Sequence, residues 1–424
     1  MSVPNEYRVT RLPNGARVAT ATMPHLRGVC VGVWVAAGGR HEGAAECGAA
    51  HFVEHLLFKG TRNRSARELS FAVEGVGGYL NAYTTEDHTC FYAKAAAGHF
   101  RQLIDVLLEM FIESNFPAAE VEREREVIRE EILSCKDSPA QWVEELLSAS
   151  LWPGHALGRP LTGTVETISA FSRADLRRFH ARHYCGRNTF VTVSGPVAHE
   201  EVVEAVRTPM RRLAEGVASV ARRAAPTKKR RVEIEKQPTE QAHLALGFPA
   251  YSRTDKRRFA LRLLSVILGE NMSSRLFQNL REKRGYCYSV QSSTVAFRDT
   301  GAFQIYADLD PLKLERALTV IRRECARLRA TPPGRVELKR AKDYIIGQTQ
   351  ISLDSATSQN TWMAESLMTH GRIALLQDVE HAVAAVDAAQ VCAVAAECLR
   401  LGGAAAALVG PSHNPDQIDA LLRD

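Results

Sequence analysis

Two hydrophobic rhythms alternate along the chain. Over residues 7–42 short apolar runs are split by turn residues: YRVTRLPNGARVATATM reads as two strands around a Pro-Asn-Gly turn, and VCVGVWVAAGG as an apolar strand closed by glycines. The spacing then becomes helical from Ala45 to Phe58 and from Ala66 to Val76, where Gly75, Gly77 and Gly78 stop it. YLNAYTTEDHTCFYAKA returns to strand spacing as a pair. Helices are predicted over 99–114, 118–136, 171–184 and 200–214, with the buried strand TFVTVSG before the last.

Residues 214–240 break this grammar. They are rich in Ala and basic residues, with little apolar periodicity, and read as a linker. The grammar then recurs: HLALGFPAY as a strand, KRRFALRLLSVIL as a helix, YCYSVQSSTVAF and GAFQIYADL as strands. Helices follow over 312–329, 333–349, 358–369 and 388–400, and AAAALVG closes the chain's second half as a strand. The predicted fold is therefore α+β. Two homologous halves, 1–213 and 241–424, each form an antiparallel-rich sheet covered by helices, a pattern that suggests duplication.

Composition narrows the function. A chain of 424 residues exceeds one ordinary core, and 45% hydrophobic with 24% charged residues is ordinary for a soluble globular protein. A net charge of +6 is too weak to argue for nucleic acid, and the KKRR run at 228–231 reads as solvated linker charge. The N-terminus, MSVPNEYRV, has no apolar leader, and no window reaches about 18 uninterrupted apolar residues, so no membrane span is expected. Nine cysteines, odd in number and scattered, read as free thiols in a reducing, cytoplasmic compartment.

The chemistry concentrates in HFVEH, His51 to His55. On a helix, positions i, i+3 and i+4 share a face, so His51, Glu54 and His55 point together while Phe52, Val53, Leu56 and Leu57 can enter a core. Two imidazoles one turn apart can reach a single zinc ion, and the carboxylate between them can act as base: this is the inverted order of the zincin motif. A third ligand is required. The helix PAAEVEREREVIREEILSC offers Glu124 and Glu131, seven residues apart on one face. Glu131 would complete a His2Glu set with one open position, and Glu124 could orient a histidine from behind. Alone, that helix would read as a salt-bridged surface helix.

HFVEH with Glu131 in EREVIREEI resembles the pitrilysin/insulinase family of inverted-zincin metallopeptidases, and most closely its mitochondrial-processing-peptidase-like bacterial branch. GGYLNAYTTEDHT, GHALGRPLTGTVETI, DLRRFHARHYCGRNTFVTVSG, MSSRLFQNLREKRGYCYSV and ELKRAKDYIIGQ are similar to further family segments, so the likeness spans nearly the whole chain. It implies a zinc metalloendopeptidase that cuts extended or unstructured peptides inside an enclosed chamber. By the resemblance, His51, His55 and Glu131 are the zinc ligands, Glu54 is the general base acting on zinc-activated water, and Glu124 is a supporting carboxylate. Asn81 and Ala82 line a strand that pairs with substrate, and Arg281 and Tyr288 grip the substrate and its developing oxyanion. The second half has no HxxEH, so one Zn2+ per chain is expected. Family chambers hold four such domains, which implies a homodimer in which Arg281 and Tyr288 serve the other chain's zinc site, or a heterodimer with a homologous subunit. The alternative is a non-catalytic scaffold or regulatory subunit of a processing-peptidase-like complex.

Overall fold

β3 (Gly28–Val35, GVCVGVWV) is buried along nearly its whole length, so helices must cover both its faces. The computed structural model describes residues 6–227, 229, 231–411 and 415–422. The first five residues, in which no apolar leader was expected, and two of the four KKRR cations lie outside the described residues.

The chain folds as two units. The first comprises residues 1–132, 160–222 and 351–374, the second 133–159, 223–350 and 375–424. In the first, β3 lies inside a six-stranded sheet of order β1-β2-β6-β3-β5-β4, with β1 Glu6–Arg11, β2 Arg17–Thr22, β4 Tyr79–Thr84, β5 Thr89–Ala96 and β6 Thr189–Gly195. Only β2 and β6 run parallel. One face carries α1 (Ala49–Leu57), α2 (Ala66–Glu74), α3 (Phe100–Glu113) and α4 (Ala118–Asp137). Phe52, Val53, Leu56 and Leu57 of α1 are fully buried there with Val31, Val33, Phe91, Leu107 and Ile128, each large side chain contributing about 1.5–3 kcal/mol. The other face is covered by helix Ala356–His370, packed on β2, β3 and β6. Its Asn360 donates to the carbonyls of Cys30 (3.2 Å) and Thr192 (2.8 Å) and accepts from Thr192 Oγ1 (2.6 Å). Gly32 permits that approach, since a Cβ there would stand 2.3 Å from Asn360 Oδ1.

The second unit holds a five-stranded sheet of order β7-β11-β8-β10-β9, with β7 Arg231–Lys236, β8 Ala242–Ala250, β9 Cys287–Ala296, β10 Gly301–Leu309 and β11 Ala405–Gly410. Only β7 and β11 are parallel. The order repeats β2-β6-β3-β5-β4 with the same parallel pair, so β4 and β9 occupy equivalent edges of two homologous sheets. Helix Pro139–Leu151 packs on β8 and β11, burying Val143, Leu147 and Leu151 at helical spacing.

Three local features differ from the sequence reading. The helix expected from Ala45 starts at Ala49, because Gly48 before it has φ +92° and cannot continue a right-handed turn. The presumed linker contains β7, whose RVEIEK alternation finds a parallel partner in β11, more than 150 residues away. Helix Pro139–Leu151 falls where no helix was expected, and each unit takes a helix from the other half of the chain where the sequence suggested one cut.

Candidate metal centre

α1 is anchored at its start by a carboxylate. Glu42, buried, accepts from the backbone N–H groups of Gly48 (2.9 Å) and Ala50 (2.7 Å), the donors that a helix N-terminus leaves without intrahelical partners. Gly48 is held tightly: a Cβ there would lie 2.8 Å from both Thr162 O and Gly163 Cα. With that end fixed and its apolar face in the core, α1 presents His51, Glu54 and His55 on its remaining side.

α4 lies opposite and divides its two glutamates between two tasks. Glu124, buried, places Oε2 3.0 Å from His55 Nδ1 and Oε1 2.7 Å from Lys59 Nζ. Nδ1–H therefore donates to a carboxylate, which leaves the Nε2 lone pair of His55 for a metal. Glu131 Oε2 lies 3.7 Å from His51 Nε2 and 3.8 Å from His55 Nε2. One ligand atom from each of His51, His55 and Glu131 falls within 4.8 Å of the others. A tetrahedral zinc sets its ligand atoms about 3.3 Å apart, so small side-chain shifts close this set, and two imidazoles with one carboxylate are a catalytic zinc donor set. Burial, then the neighbouring His55, pushes His51 down to about 3, so its ring is neutral and its lone pair available near pH 7. The three residues fit a zinc ion.

Glu54 is buried beside them. Burial raises its pKa above the ordinary carboxylate value, while the hydrogen bond from Thr84 Oγ1 to Oε2 and the nearby His55 oppose that rise. Thr84 ends β4, the strand that carries Asn81 and Ala82, so these residues adjoin the cluster through a contact at the strand's end. Arg281 and Tyr288 belong to the second unit. There the Arg281 guanidinium stands 5.7 Å from the Tyr288 ring centroid, and Tyr288 is 71% exposed. Glu42, Lys59 and Thr84 were not among the residues singled out from the sequence; Glu42 sits in a loop with no periodicity to mark it.

The family model for Insulinase (Peptidase family M16) matches residues 17–165, which hold the cluster, and the model for the Peptidase M16 inactive domain matches 170–345. An uncharacterized zinc protease of Streptomyces coelicolor is 37% identical over 399 residues, covering 92% of this chain and 87% of that one. The chain belongs to the insulinase family. A second insulinase-family relative, the uncharacterized zinc protease YmxG of Bacillus subtilis, is 33% identical over 401 residues, 95% of this chain and 97% of its own. Among solved structures, a protease from Helicobacter pylori superposes with a TM-score of 0.91 at 22% identity, covering 96% of this chain and all of that one. A Peptidase M16 inactive domain from Pseudomonas fluorescens superposes at 0.90 with 20% identity, over 96% and 98%. Both share the insulinase fold with this chain.

Proposed function

We propose that the chain is a zinc-dependent endopeptidase acting on extended peptides. The observation that carries this is the convergence of His51, His55 and Glu131, with Glu54 on the same face of α1. Zinc, when bound, supplies a Lewis acid that polarises a peptide carbonyl and acidifies water. Glu124 fixes the tautomer and orientation of His55. Thr84 engages Glu54 Oε2, leaving Oε1 to take a proton from the attacking water and return it to the leaving amine.

The substrate class follows from β4. It has a neighbour on one side only among the described strands, and its last residue touches the base. A peptide adding there as a strand would be read through its backbone, which favours unstructured segments with loose side-chain preference. All nine cysteines are free, which suits a reducing compartment such as the cytoplasm. No single helix among the described residues is long and apolar enough to cross a membrane. In this reading two copies associate, and Arg281 and Tyr288 of each assist the other's cleavage.

The test is hydrolysis of a quenched fluorescent, unstructured peptide library, with metal quantified per chain. Wild type should cleave and lose activity on chelation, while Glu54→Gln should keep zinc and be inactive. Zinc bound without cleavage by wild type, even with a homologous subunit added, would favour the non-catalytic scaffold instead.

A further inference from the structure

The open edge of β4 is already covered by its own side chain. The phase of the β4–β5 ladder follows from the hairpin that joins them: Thr85 N donates to His88 O at 2.8 Å. Hydrogen-bonded and non-hydrogen-bonded pairs alternate in an antiparallel ladder. With Tyr83 opposite Cys90, Asn81 opposite Tyr92 and Tyr79 opposite Lys94, those residues turn their backbone groups towards β5. Leu80, Ala82 and Thr84 therefore turn theirs to the vacant side. The Ala82 N–H is the donor an incoming strand would need, and Asn81 Oδ1 accepts it at 2.8 Å.

Asn81 is itself held. Its Nδ2 donates to Tyr79 OH at 2.6 Å, which orients the amide with oxygen towards Ala82. The Tyr79 ring packs 6.0 Å from the Tyr92 ring, and Lys94 Nζ stands 5.7 Å from the Tyr79 centroid and 5.8 Å from that of Tyr92. Aromatic and cation contacts thus fix the phenol, the phenol fixes the amide, and the amide occupies the edge donor.

We infer that Asn81 is a side-chain cap on the substrate-pairing edge, latched by Tyr79, and that a peptide must displace it to gain the Ala82 N–H. Tyr79 is then a positioning residue that sets how readily the edge opens. An unpaired edge is a template for unwanted strand pairing, and a cap that yields only to a competing backbone limits it. This rests on the reading of β4 as the strand that receives substrate.

The test uses the zinc-loaded Glu54→Gln protein, so that binding is read without cleavage. Affinity for a fluorescein-labelled, unstructured peptide is measured by anisotropy, with and without Tyr79→Phe. Losing one neutral hydrogen bond from the latched state should tighten binding about 2–10-fold. In the peptide-free protein, hydrogen exchange at the Ala82 amide should also quicken in the Tyr79→Phe variant. Unchanged or weaker peptide binding in that variant, or unchanged Ala82 exchange, overturns the inference. Absence of any binding by either protein is a separate outcome: it sinks strand addition at β4 and the inference with it, while zinc-dependent cleavage by wild type would still stand.

Discussion

Replacing Glu124 by Gln removes a charge from a buried position that two side chains share. Oε2 accepts from His55 Nδ1 at 3.0 Å and Oε1 pairs with Lys59 Nζ at 2.7 Å. Glutamine keeps an acceptor for His55, but the bond falls from charge-assisted to neutral and loses about half its strength. Bonds to charged groups contribute about 1.5–3 kcal/mol, so the loss is about 0.8–1.5 kcal/mol, or about 4- to 12-fold in zinc affinity. Glu124→Leu leaves neither His55 nor Lys59 any acceptor at this position, so the fall should approach 100-fold, the upper range for partners behind a metal ligand. Competition against a chromophoric zinc chelator at fixed pH measures both. Zinc dissociation constants within twofold of wild type for the pair of variants would refute the idea that Glu124 tunes the metal through His55.

Three further outcomes are expected. Gly48→Ala should lower both the apparent melting temperature and zinc affinity, since a non-glycine residue at φ +92° costs about 1–3 kcal/mol before the clash with Thr162 and Gly163 is added; an unchanged melting curve would refute it. His183 is buried, its Nε2 accepts from Arg182 Nε at 2.9 Å and its Nδ1 meets Ser219 Oγ at 2.7 Å; burial, then Arg182 and His41, push it down to about 4. Its ordinary value is higher, so the unfolded chain takes up a proton first as pH falls: stability is full above about pH 6.5, declines through the window, and has lost up to about 3 kcal/mol by pH 4. In chelated protein, denaturation midpoints should fall less steeply with pH for His183→Gln than for wild type, and parallel slopes would argue against this role. Mixing inactive Glu54→Gln and Tyr288→Phe chains in equal amounts should restore about a quarter of wild-type activity if a homodimer shares its sites in trans, whereas no recovery after subunit exchange would favour action within one chain.

The helix of the candidate metal centre was legible because its signal is local. A 3.6-residue period places His51, Glu54 and His55 together and sends Phe52, Val53, Leu56 and Leu57 the other way, whatever surrounds the helix. The same period puts Glu124 and Glu131 on one face of α4, but it cannot say which neighbour that face meets. β7 went unread because a six-residue edge strand is stable only beside β11, and nothing near residue 231 announces that partner. Glu42 and Thr84 likewise show no pattern, since a capping carboxylate and a hydroxyl that bonds Glu54 are defined by where loop and strand ends arrive.

What the sequence by itself determined was therefore most of the helices and strands, the duplicated order of elements, and the donor types of a candidate zinc site with a carboxylate beside it. The tertiary structure alone decided that Glu124 backs His55 while Glu131 joins the ligand cluster, that Thr84 holds Glu54, and that each sheet is covered by a helix from the other half of the chain. The division has a physical cause. Backbone periodicity is intrinsic to each segment, whereas sheet order, capping and carboxylate partnership depend on contacts between residues far apart in sequence, whose geometry exists only once the core has formed.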